Sequence, residues 1–326
     1  MELDKEVLVE IKNVKKYFPI KSFFGSFKGE VKAVDDVSFQ IYKGETFGLV
    51  GESGCGKSTL GRCILQMLDV TSGSVFYNKK DLVNMPKKEW KEYRKKLQII
   101  FQDPYASLNP NWNVKQLIAE PLVTSGYSTK EVNNRIKELL KLLNMNEEVM
   151  EKYPYEFSGG QRQRIGIARA VAAYPEFIFC DEPISALDVS VQAQVVNMLK
   201  ELQEQLGLTY LFTAHDLAMV YHISDRIGVM YLGTIVEIGT SEEVFKKPLH
   251  PYTQALISAV PVADPKLAKK AERLIIEGEL PNPMNVPKGC RFYTRCPHAT
   301  DKCKNDMPSL KEVKQGHFVA CHYVEL

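Results

Sequence analysis

The sequence predicts an α/β domain built on a largely parallel sheet, because several short apolar segments are each followed by a polar turn and a helical pattern. Four of these segments, predicted to be buried strands, end at Val50, Phe101, Cys180 and Thr213. The polar residues just beyond them are Gly51, Gln102, Asp181, Glu182 and His215. Open parallel sheets bind ligands outside the carboxyl ends of their strands. We therefore expect these polar residues to meet at one edge of the sheet.

The most specific motif lies at residues 51–59, between an apolar strand at residues 46–50 and a helical pattern. Its sequence, GESGCGKST, fits G-x-x-x-x-G-K-[ST] and consists of Gly51, Glu52, Ser53, Gly54, Cys55, Gly56, Lys57, Ser58 and Thr59. Its glycines let backbone N–H groups point at a polyphosphate, and the helix start adds partial positive charge. We expect Lys57 to reach the β- and γ-phosphates and the Ser58 hydroxyl to bind Mg²⁺.

Side chains at the other strand ends predict the remaining chemistry. Asp181 and Glu182 follow the apolar run at residues 177–180. Two carboxylates at the end of a buried strand are unfavourable unless they bind a cation or a proton. Asp181 is expected to hold Mg²⁺, and Glu182 to orient and deprotonate an attacking water. Gln102 would bind Mg²⁺ weakly or accept from a metal-bound water, and His215 would hydrogen-bond a γ-phosphate. Phosphate, magnesium and water chemistry are therefore predicted at one edge.

A second glycine-rich helix start follows at residues 158–161. Ser158 is a predicted N-cap, and Gly159, Gly160 and Gln161 open an amphipathic helix. The N–H groups of such a start form an anion site that is built like the first one but lacks its lysine. An ordinary capped helix explains the same pattern, and the residues alone leave both interpretations open.

Two adjacent aromatic residues, Tyr17 and Phe18, precede the glycine-rich loop in the chain. An aromatic face at this position could stack on adenine. The alternative, a core aromatic at the end of a strand, is the commoner use of such a residue.

Composition narrows the class of protein. The chain has 326 residues, 44% of them hydrophobic, which is enough for one large domain and a smaller one. Its net charge of +2 argues against electrostatic nucleic-acid binding as the main activity. No apolar run approaches the ~18 residues of a membrane span, and the first residues do not resemble a signal peptide. We therefore expect a cytosolic protein that docks on a membrane component.

Four of the seven cysteines lie near the carboxyl terminus, spaced C-x5-C-x6-C-x17-C, in a proline-rich stretch with little apolar sequence. They are Cys290, Cys296, Cys303 and Cys321. Such a small region usually needs a cross-link or a bound metal for stability. Four thiolates are suitable ligands for a [4Fe–4S] cluster or for Zn²⁺. The wide spacing favours the iron–sulfur cluster, with nearby histidines as substitute ligands and free thiols as the remaining interpretation.

Taken in order, GESGCGKST, Gln102, FSGGQ, FIFCDEP, SALD and His215 resemble the motifs of an ABC ATPase. The resemblance covers residues 7 to about 240 and implies a RecA-like parallel-sheet core, an antiparallel β subdomain and a helical insertion at about residues 103–157. It further implies a head-to-tail dimer in which each ATP lies between one glycine-rich loop and residues 158–161 of the other subunit. Phe18 or Tyr17 would stack on adenine, and Asp188 would communicate across the dimer.

The carboxyl-terminal sequences LHPYT, ALISAVP and GCRFYTRCPHATDKC, together with FQDPYASLNP after Gln102, resemble the ATP-binding subunits of oligopeptide and dipeptide importers. The ALISAVP segment is more similar to the second of the two ATPase chains that such importers pair. The resemblance implies an ATPase domain at residues 1–240 and a loop-rich extension with the four cysteines at residues 241–326. Nickel importers share much of this extension, so nickel or another small solute is an alternative cargo.

The resemblance also implies the activity and partners: hydrolysis of ATP that powers peptide import through dimer closure. The partners would be a second ATPase subunit, the same chain or a different one, and two integral membrane permease subunits docked near residues 102–109. An extracytoplasmic solute-binding protein would act indirectly, and no nucleic acid is expected. The chain would lie peripherally on the cytoplasmic face of the cell membrane. A soluble ABC ATPase of DNA repair, chromosome structure or translation fits less well, because the sequence has one phosphate-binding loop and no long heptads.

Overall fold

The computed structural model describes residues 6–21, 27–260 and 281–324, together with residues 274, 276 and 278. These residues form two compact units that are interleaved along the chain. The first contains residues 42–46 and 84–214, and the second contains residues 6–41, 47–83 and 215–324. The domain boundary that the sequence predicts at residue 240 stays a prediction.

The amino-terminal part of the second unit is mainly antiparallel. Its elements are β1 (Val7–Lys21), β2 (Phe27–Tyr42), β3 (Thr46–Val50), α1 (Lys57–Ile64), β4 (Ser72–Tyr77) and β5 (Lys80–Asp81). Strands β2, β1, β4 and β5 form one sheet in that order, which is the antiparallel subdomain that the resemblance implies. Strand β3 is fully buried, and six residues separate its end at Val50 from the start of α1 at Lys57, as the glycine motif requires.

The first unit holds the other three predicted strands. Its elements are α2 (Lys87–Arg94), β6 (Leu97–Ile100), α3 (Pro104–Ser107), α4 (Val114–Thr124), α5 (Thr129–Leu142), α6 (Gly159–Val171), β7 (Phe177–Asp181), α7 (Val189–Leu206) and β8 (Thr209–Thr213). Strands β6, β7 and β8 are parallel neighbours, with Cys180 opposite Ile100 on one side and Phe212 on the other. Since the three strands run in one direction, the residues that follow β6 and β7 emerge at the same edge.

Helices fill the segment between β6 and α6, as predicted for residues 103–157. The apolar spacing in EVNNRIKELLKLLNM corresponds to α5, which buries one face that includes Ile136 and Leu139. Ser128 and Glu131 form a capping box at its start, since each side chain accepts from the other residue's backbone N–H.

The carboxyl-terminal part of the second unit extends a mixed sheet. Its elements are α8 (Leu217–Ile223), β9 (Arg226–Tyr231), β10 (Thr234–Thr240), α9 (Ser241–Lys246), α10 (Pro251–Ser258), α11 (Asp301–Asn305), β11 (Lys311–Lys314) and β12 (His317–Val319). Strand β3 pairs in parallel with β9, and β9, β10, β12 and β11 then follow in antiparallel order. The predicted loop-rich tail therefore also contributes two strands, which the sequence analysis did not predict. Within the described ranges, no helix is long and apolar enough to cross a membrane.

Candidate nucleotide-binding site

Residues 51–59, here called the P-loop, depend on glycine at two positions where the backbone is left-handed and crowded. Gly51 has φ 152° and Gly56 has φ 111°. A Cβ on Gly51 would lie 2.1 Å from the carbonyl oxygen of Met230, and one on Gly56 would lie 2.1 Å from that of Ala33. Any side chain would therefore be both strained and in collision with backbone, which is why the loop requires these glycines.

Lys57 opens α1 and turns back into the P-loop. Its Nζ donates to the carbonyl oxygens of Gly51 (2.8 Å) and Glu52 (3.2 Å), and the residue is only 4% exposed. An ammonium at this position can form charge-assisted hydrogen bonds with a phosphate group. Ser58 and Thr59 are half-buried in the first turn of α1. The P-loop thus combines a helix start, a lysine and two hydroxyls.

The first unit brings Gln102 and Glu182 together beyond the ends of β6 and β7. The Gln102 Nε2 donates to the Glu182 Oε2 over 2.9 Å. The Glu182 backbone N–H donates to the Thr213 hydroxyl (3.0 Å), which donates in turn to the Cys180 carbonyl oxygen (3.1 Å). Asp181, the last residue of β7, is completely buried beside this group. A buried carboxylate fixed at main chain and side chain is well placed to orient a water molecule.

His215 follows β8 by two residues and is exposed. The next residue, Asp216, caps α8 by accepting from the N–H groups of Ala218 (2.8 Å) and Met219 (3.4 Å). His215 and the P-loop belong to the second unit, whereas Gln102 and Glu182 belong to the first. Their convergence on a single edge therefore stays a prediction.

Residues 158–161 form the capped, outward-facing helix start that the sequence predicts. The Ser158 hydroxyl accepts from the Gln161 N–H (3.4 Å), and the Gln161 Oε1 accepts from the Ser158 N–H (3.0 Å). A Cβ on Gly160 would lie 2.5 Å from Val191 Cγ1, so glycine permits the close approach of α6 and α7. Ser158, Gly159 and Gln161 are exposed, so a second molecule can reach this helix start.

Asp188 is the N-cap of α7. It accepts hydrogen bonds from the Ser190 hydroxyl (2.7 Å) and the Val191 N–H (3.0 Å). These two bonds, that from Ser190 first, lower the pKa of Asp188 below its ordinary value. The side chain is exposed and ionised at neutral pH, which suits a contact with another subunit as well as the local cap.

The two aromatic candidates for adenine stacking differ in their surroundings. The Tyr17 hydroxyl donates to Asp35, and the Lys32 ammonium lies 5.2 Å from the centre of its ring. Burial, followed by this bond to Asp35, raises the pKa of Tyr17. Phe18 is 37% exposed, with the Lys16 ammonium 5.0 Å from its ring centre. Phe18 therefore has the more accessible ring.

The four-cysteine prediction is not supported by the geometry. Among the residues that the structure describes, no group of three or more His, Cys, Asp or Glu side chains could hold a metal ion. The cysteines concerned, Cys290, Cys296, Cys303 and Cys321, are free thiols. The pKa of Cys290 is raised to about 11, mainly by burial and to a smaller extent by the three other thiols. The four thiols are thus close enough to interact electrostatically, but their positions do not match the geometry of a metal site.

Two contacts between the P-loop and distant parts of the chain were not predicted from the sequence. Arg295 forms an ion pair with the Glu52 side chain, and the Tyr252 hydroxyl accepts from the Glu52 N–H over 2.9 Å. The sequence contains only a weak indication of them. Glu52 is an acidic residue in an anion-binding loop, which suggests that a cationic side chain lies nearby. The sequence offers many arginines and no indication of which one folds back.

Comparison with known proteins identifies the class. A family model for the ABC transporter matches residues 34–185, and one for the oligopeptide/dipeptide transporter C-terminal region matches residues 236–303. A solved dimer of the ATP-binding cassette MJ0796, in a post-hydrolysis state with ADP and Pi, has a TM-score of 0.64 and 28% identity. The match covers 72% of this chain and 99% of that one. The fold and motifs are those of an ABC ATPase.

Relatives of full length make the assignment more specific. The chain is 52% identical to the oligopeptide transport ATP-binding protein AppF of Bacillus subtilis over 98% of both chains. It is 50% identical to the oligopeptide transport ATP-binding protein OppF of Salmonella typhimurium over 98% of this chain and 97% of that protein. The chain therefore belongs to the ABC transporter ATPase family, in the group that carries the oligopeptide/dipeptide transporter C-terminal region.

Proposed function

We propose that this chain is the ATP-hydrolysing subunit that powers import of dipeptides or oligopeptides through an ABC transporter. The observation that carries the proposal is similarity along almost the whole chain, including the C-terminal region, to oligopeptide transport ATP-binding proteins. The exposed helix start at residues 158–161 and the fixed pair Gln102–Glu182 support ATP hydrolysis as the chemistry.

The proposed mechanism assigns one task to each group. The N–H groups of the P-loop and Lys57 bind the phosphates, and His215 hydrogen-bonds the γ-phosphate. Glu182 orients and deprotonates the attacking water, since its carboxylate is held by Gln102. Mg²⁺, which neutralises developing phosphate charge, would be held by Ser58, Asp181 and Gln102, whose hydroxyl, carboxylate and amide oxygens fit a hard cation.

A second ATPase subunit is proposed to complete each site. Residues 158–161 are exposed at a helix N-terminus and have no lysine, so they suit the γ-phosphate of an ATP held by the P-loop of the other subunit. Asp188 would contact that subunit. Resemblance to the second of two paired ATPase chains favours a different chain as the partner over another copy of this one.

The permease subunits are proposed to dock on the surface around residues 102–109. Within this segment Tyr105 is 59% exposed, and the Arg162 guanidinium lies 5.0 Å from its ring centre. Ser107, in the same segment, lines a cavity of about 170 Å³ together with residues that include Gln163 and Arg169. Exposed aromatic residues are common anchors at protein interfaces. This docking would place the chain on the cytoplasmic face of the membrane, with the solute-binding protein contacting the permeases alone.

Peptide uptake by the complete transporter, reconstituted in vesicles, tests the proposal. Glu182→Gln keeps the shape of the side chain but removes the base, so ATP hydrolysis and uptake of labelled peptide should fall by roughly 10²- to 10⁴-fold while ATP still binds. Glu242→Gln, which removes an exposed carboxylate paired with Lys246, is the matched control and should behave as wild type. Unchanged hydrolysis in Glu182→Gln would show that Glu182 is not the catalytic base. Uptake of nickel but not of peptide would show that nickel is the cargo.

The four cysteines also carry a proposal: a [4Fe–4S] cluster, or Zn²⁺ in its place. Its support is the backbone hydrogen bond from the Cys290 N–H to the Cys303 carbonyl oxygen (2.8 Å), which brings two of the four cysteines together, and the small core of this region. Chain purified without oxygen should contain about four iron and four sulfide per molecule with brown absorbance, or one zinc. Metal-free protein that binds ATP normally would remove the proposal.

A further inference from the structure

The segment at residues 290–296 reaches from the tail to the P-loop. Arg295 lies in this segment, and its two terminal nitrogens donate to both carboxylate oxygens of Glu52, over 3.0 to 3.2 Å. The Arg295 side chain is 10% exposed and that of Glu52 is 26% exposed. A forked, largely buried pair of this kind fixes direction as well as distance.

Aromatic packing holds the same segment in place. Phe292 is completely buried and packs against the rings of Tyr231 (centroids 5.3 Å apart) and Tyr252 (5.4 Å). The Tyr231 hydroxyl accepts from Arg295 Nη1 over 3.3 Å, and the Tyr252 hydroxyl accepts from the Glu52 N–H. Both the side chain and the main chain of Glu52 are therefore held by groups that this packing orients.

The other arginine of the segment reaches the adenine side of the proposed site. Arg291 is buried and forms an ion pair with Asp35, which also accepts from the Tyr17 hydroxyl. Tyr17 is adjacent to Phe18 on β1. One short segment thus contacts both the phosphate-binding loop and the strand that carries the exposed aromatic.

The position of Glu52 explains why a cation is needed there. It is the second residue of a loop that binds anions, so an unpaired carboxylate would repel phosphates and compete for Lys57. Arg295 neutralises this carboxylate and holds it turned towards the tail. The carbonyl of Glu52 remains bonded to Lys57, so fixing this residue also fixes the lysine.

We propose that residues 290–296 form a clamp that positions the P-loop for ATP, with Arg295 as its positioning residue. The clamp makes ATP affinity depend on the C-terminal region, which lies more than 230 residues away in the sequence. The inference rests on the proposed placement of ATP at the P-loop and is independent of the cargo.

Steady-state ATP hydrolysis by the complete transporter tests the clamp. Arg295→Gln should raise KM for ATP about tenfold and change kcat less than about twofold, because it disturbs binding and leaves Glu182 in place. The double variant Arg295→Gln with Glu52→Gln should recover most of the affinity, since the repelling carboxylate is gone. A purely structural role of Arg295 would give no such recovery. Lys314→Gln, which breaks an exposed ion pair with Glu243 elsewhere in the tail, is the control.

The outcomes separate the clamp from the proposed site. If Lys57→Ala abolishes ATP binding while Arg295→Gln matches the control, the clamp is wrong and the site stands. If Lys57→Ala binds ATP normally, the proposed site itself is wrong. Arg295→Lys covers the case of a misfolded glutamine variant: it keeps the charge but loses the fork, so an intermediate KM is expected and a wild-type KM would refute the forked pair.

Discussion

At the scale of single residues, the adjacent aromatic side chains of Tyr17 and Phe18 have different surroundings. Tyr17 and Phe18 looked equivalent as adenine-stacking candidates in the sequence. The Tyr17 hydroxyl is bonded to Asp35, which in turn pairs with Arg291, so this ring is held within the second unit. Phe18 is 37% exposed and has no such commitment in the described chain. Phe18 is the better candidate for stacking on adenine.

Replacing Phe18 gives a direct test of this distinction. Phe18→Ala should raise KM for ATP about fivefold to tenfold, the size expected for loss of an aromatic stack, while Phe18→Trp should restore it. Tyr17→Phe keeps its ring and should change KM less than Phe18→Ala does. If Tyr17→Phe raised KM for ATP and Phe18→Ala left it unchanged, Tyr17 and not Phe18 would be the residue that stacks on adenine. ATP affinity measured against GTP affinity would show whether the base itself is recognised.

The backbone of Glu182 shows what a sequence cannot reveal at this scale. Its φ of 48° lies in the left-handed region, which is rare for a non-glycine residue. The bond from its N–H to the Thr213 hydroxyl, a residue 31 positions later, stabilises the turn. Such strained positions are frequent at functional sites, and the contacts that maintain them are made by residues far apart in the sequence.

At the scale of elements, local patterns were sufficient where burial is complete. Strands β3, β7 and β8 were predicted from apolar runs, and each is entirely buried in the structure. The P-loop was predicted because its glycines meet local geometric requirements that few other residues satisfy. Helix α5 was predicted from its period and its capping residues. These elements are determined by short-range physical chemistry, so a single sequence reveals them.

Elements that depend on distant pairing were missed. Strands β11 and β12 are four and three residues long, too short for an alternating pattern to be recognised. Strand β12 is stabilised by pairing with β10, where Val319 lies opposite Glu237. The ion pair of Arg295 with Glu52 spans 243 positions, and the sequence contains no signal that selects this arginine. Long-range partners of this kind require the structure.

At the scale of the whole second unit, one buried carboxylate connects three distant stretches of chain. Glu237 on β10 is completely buried and accepts from the N–H groups of Leu249 (2.8 Å) and His250 (2.9 Å). Its Oε1 also lies 2.8 Å from the His317 Nε2 on β12. The carboxylate thus joins the sheet, the start of α10 and the last strand of the tail. Loss of these bonds would weaken the attachment of β12 and of the start of α10 to the sheet.

Acid should weaken this junction through His250. Burial lowers the pKa of His250 from its ordinary 6.5 to about 4, although Glu237 opposes the shift. Between about pH 4 and 6.5 the unfolded chain therefore binds more protons at this residue, so stability rises with pH in that window and is lost as the pH falls. From pH 7.5 to pH 5 this residue should cost about 2 kcal/mol of unfolding free energy.

His250→Asn removes the titrating group while keeping an N-cap side chain that can accept from the Tyr252 N–H, as the His250 Nδ1 does over 3.0 Å. Because every other residue is the same in both proteins, the difference between the two pH profiles isolates His250. Urea unfolding at pH 5 and pH 7.5 should show the variant losing about 2 kcal/mol less than the wild type. Parallel profiles would mean that burial does not hold His250 neutral in the folded protein, and this prediction would be wrong. A flattened profile would assign the acid sensitivity of this junction to one buried imidazole.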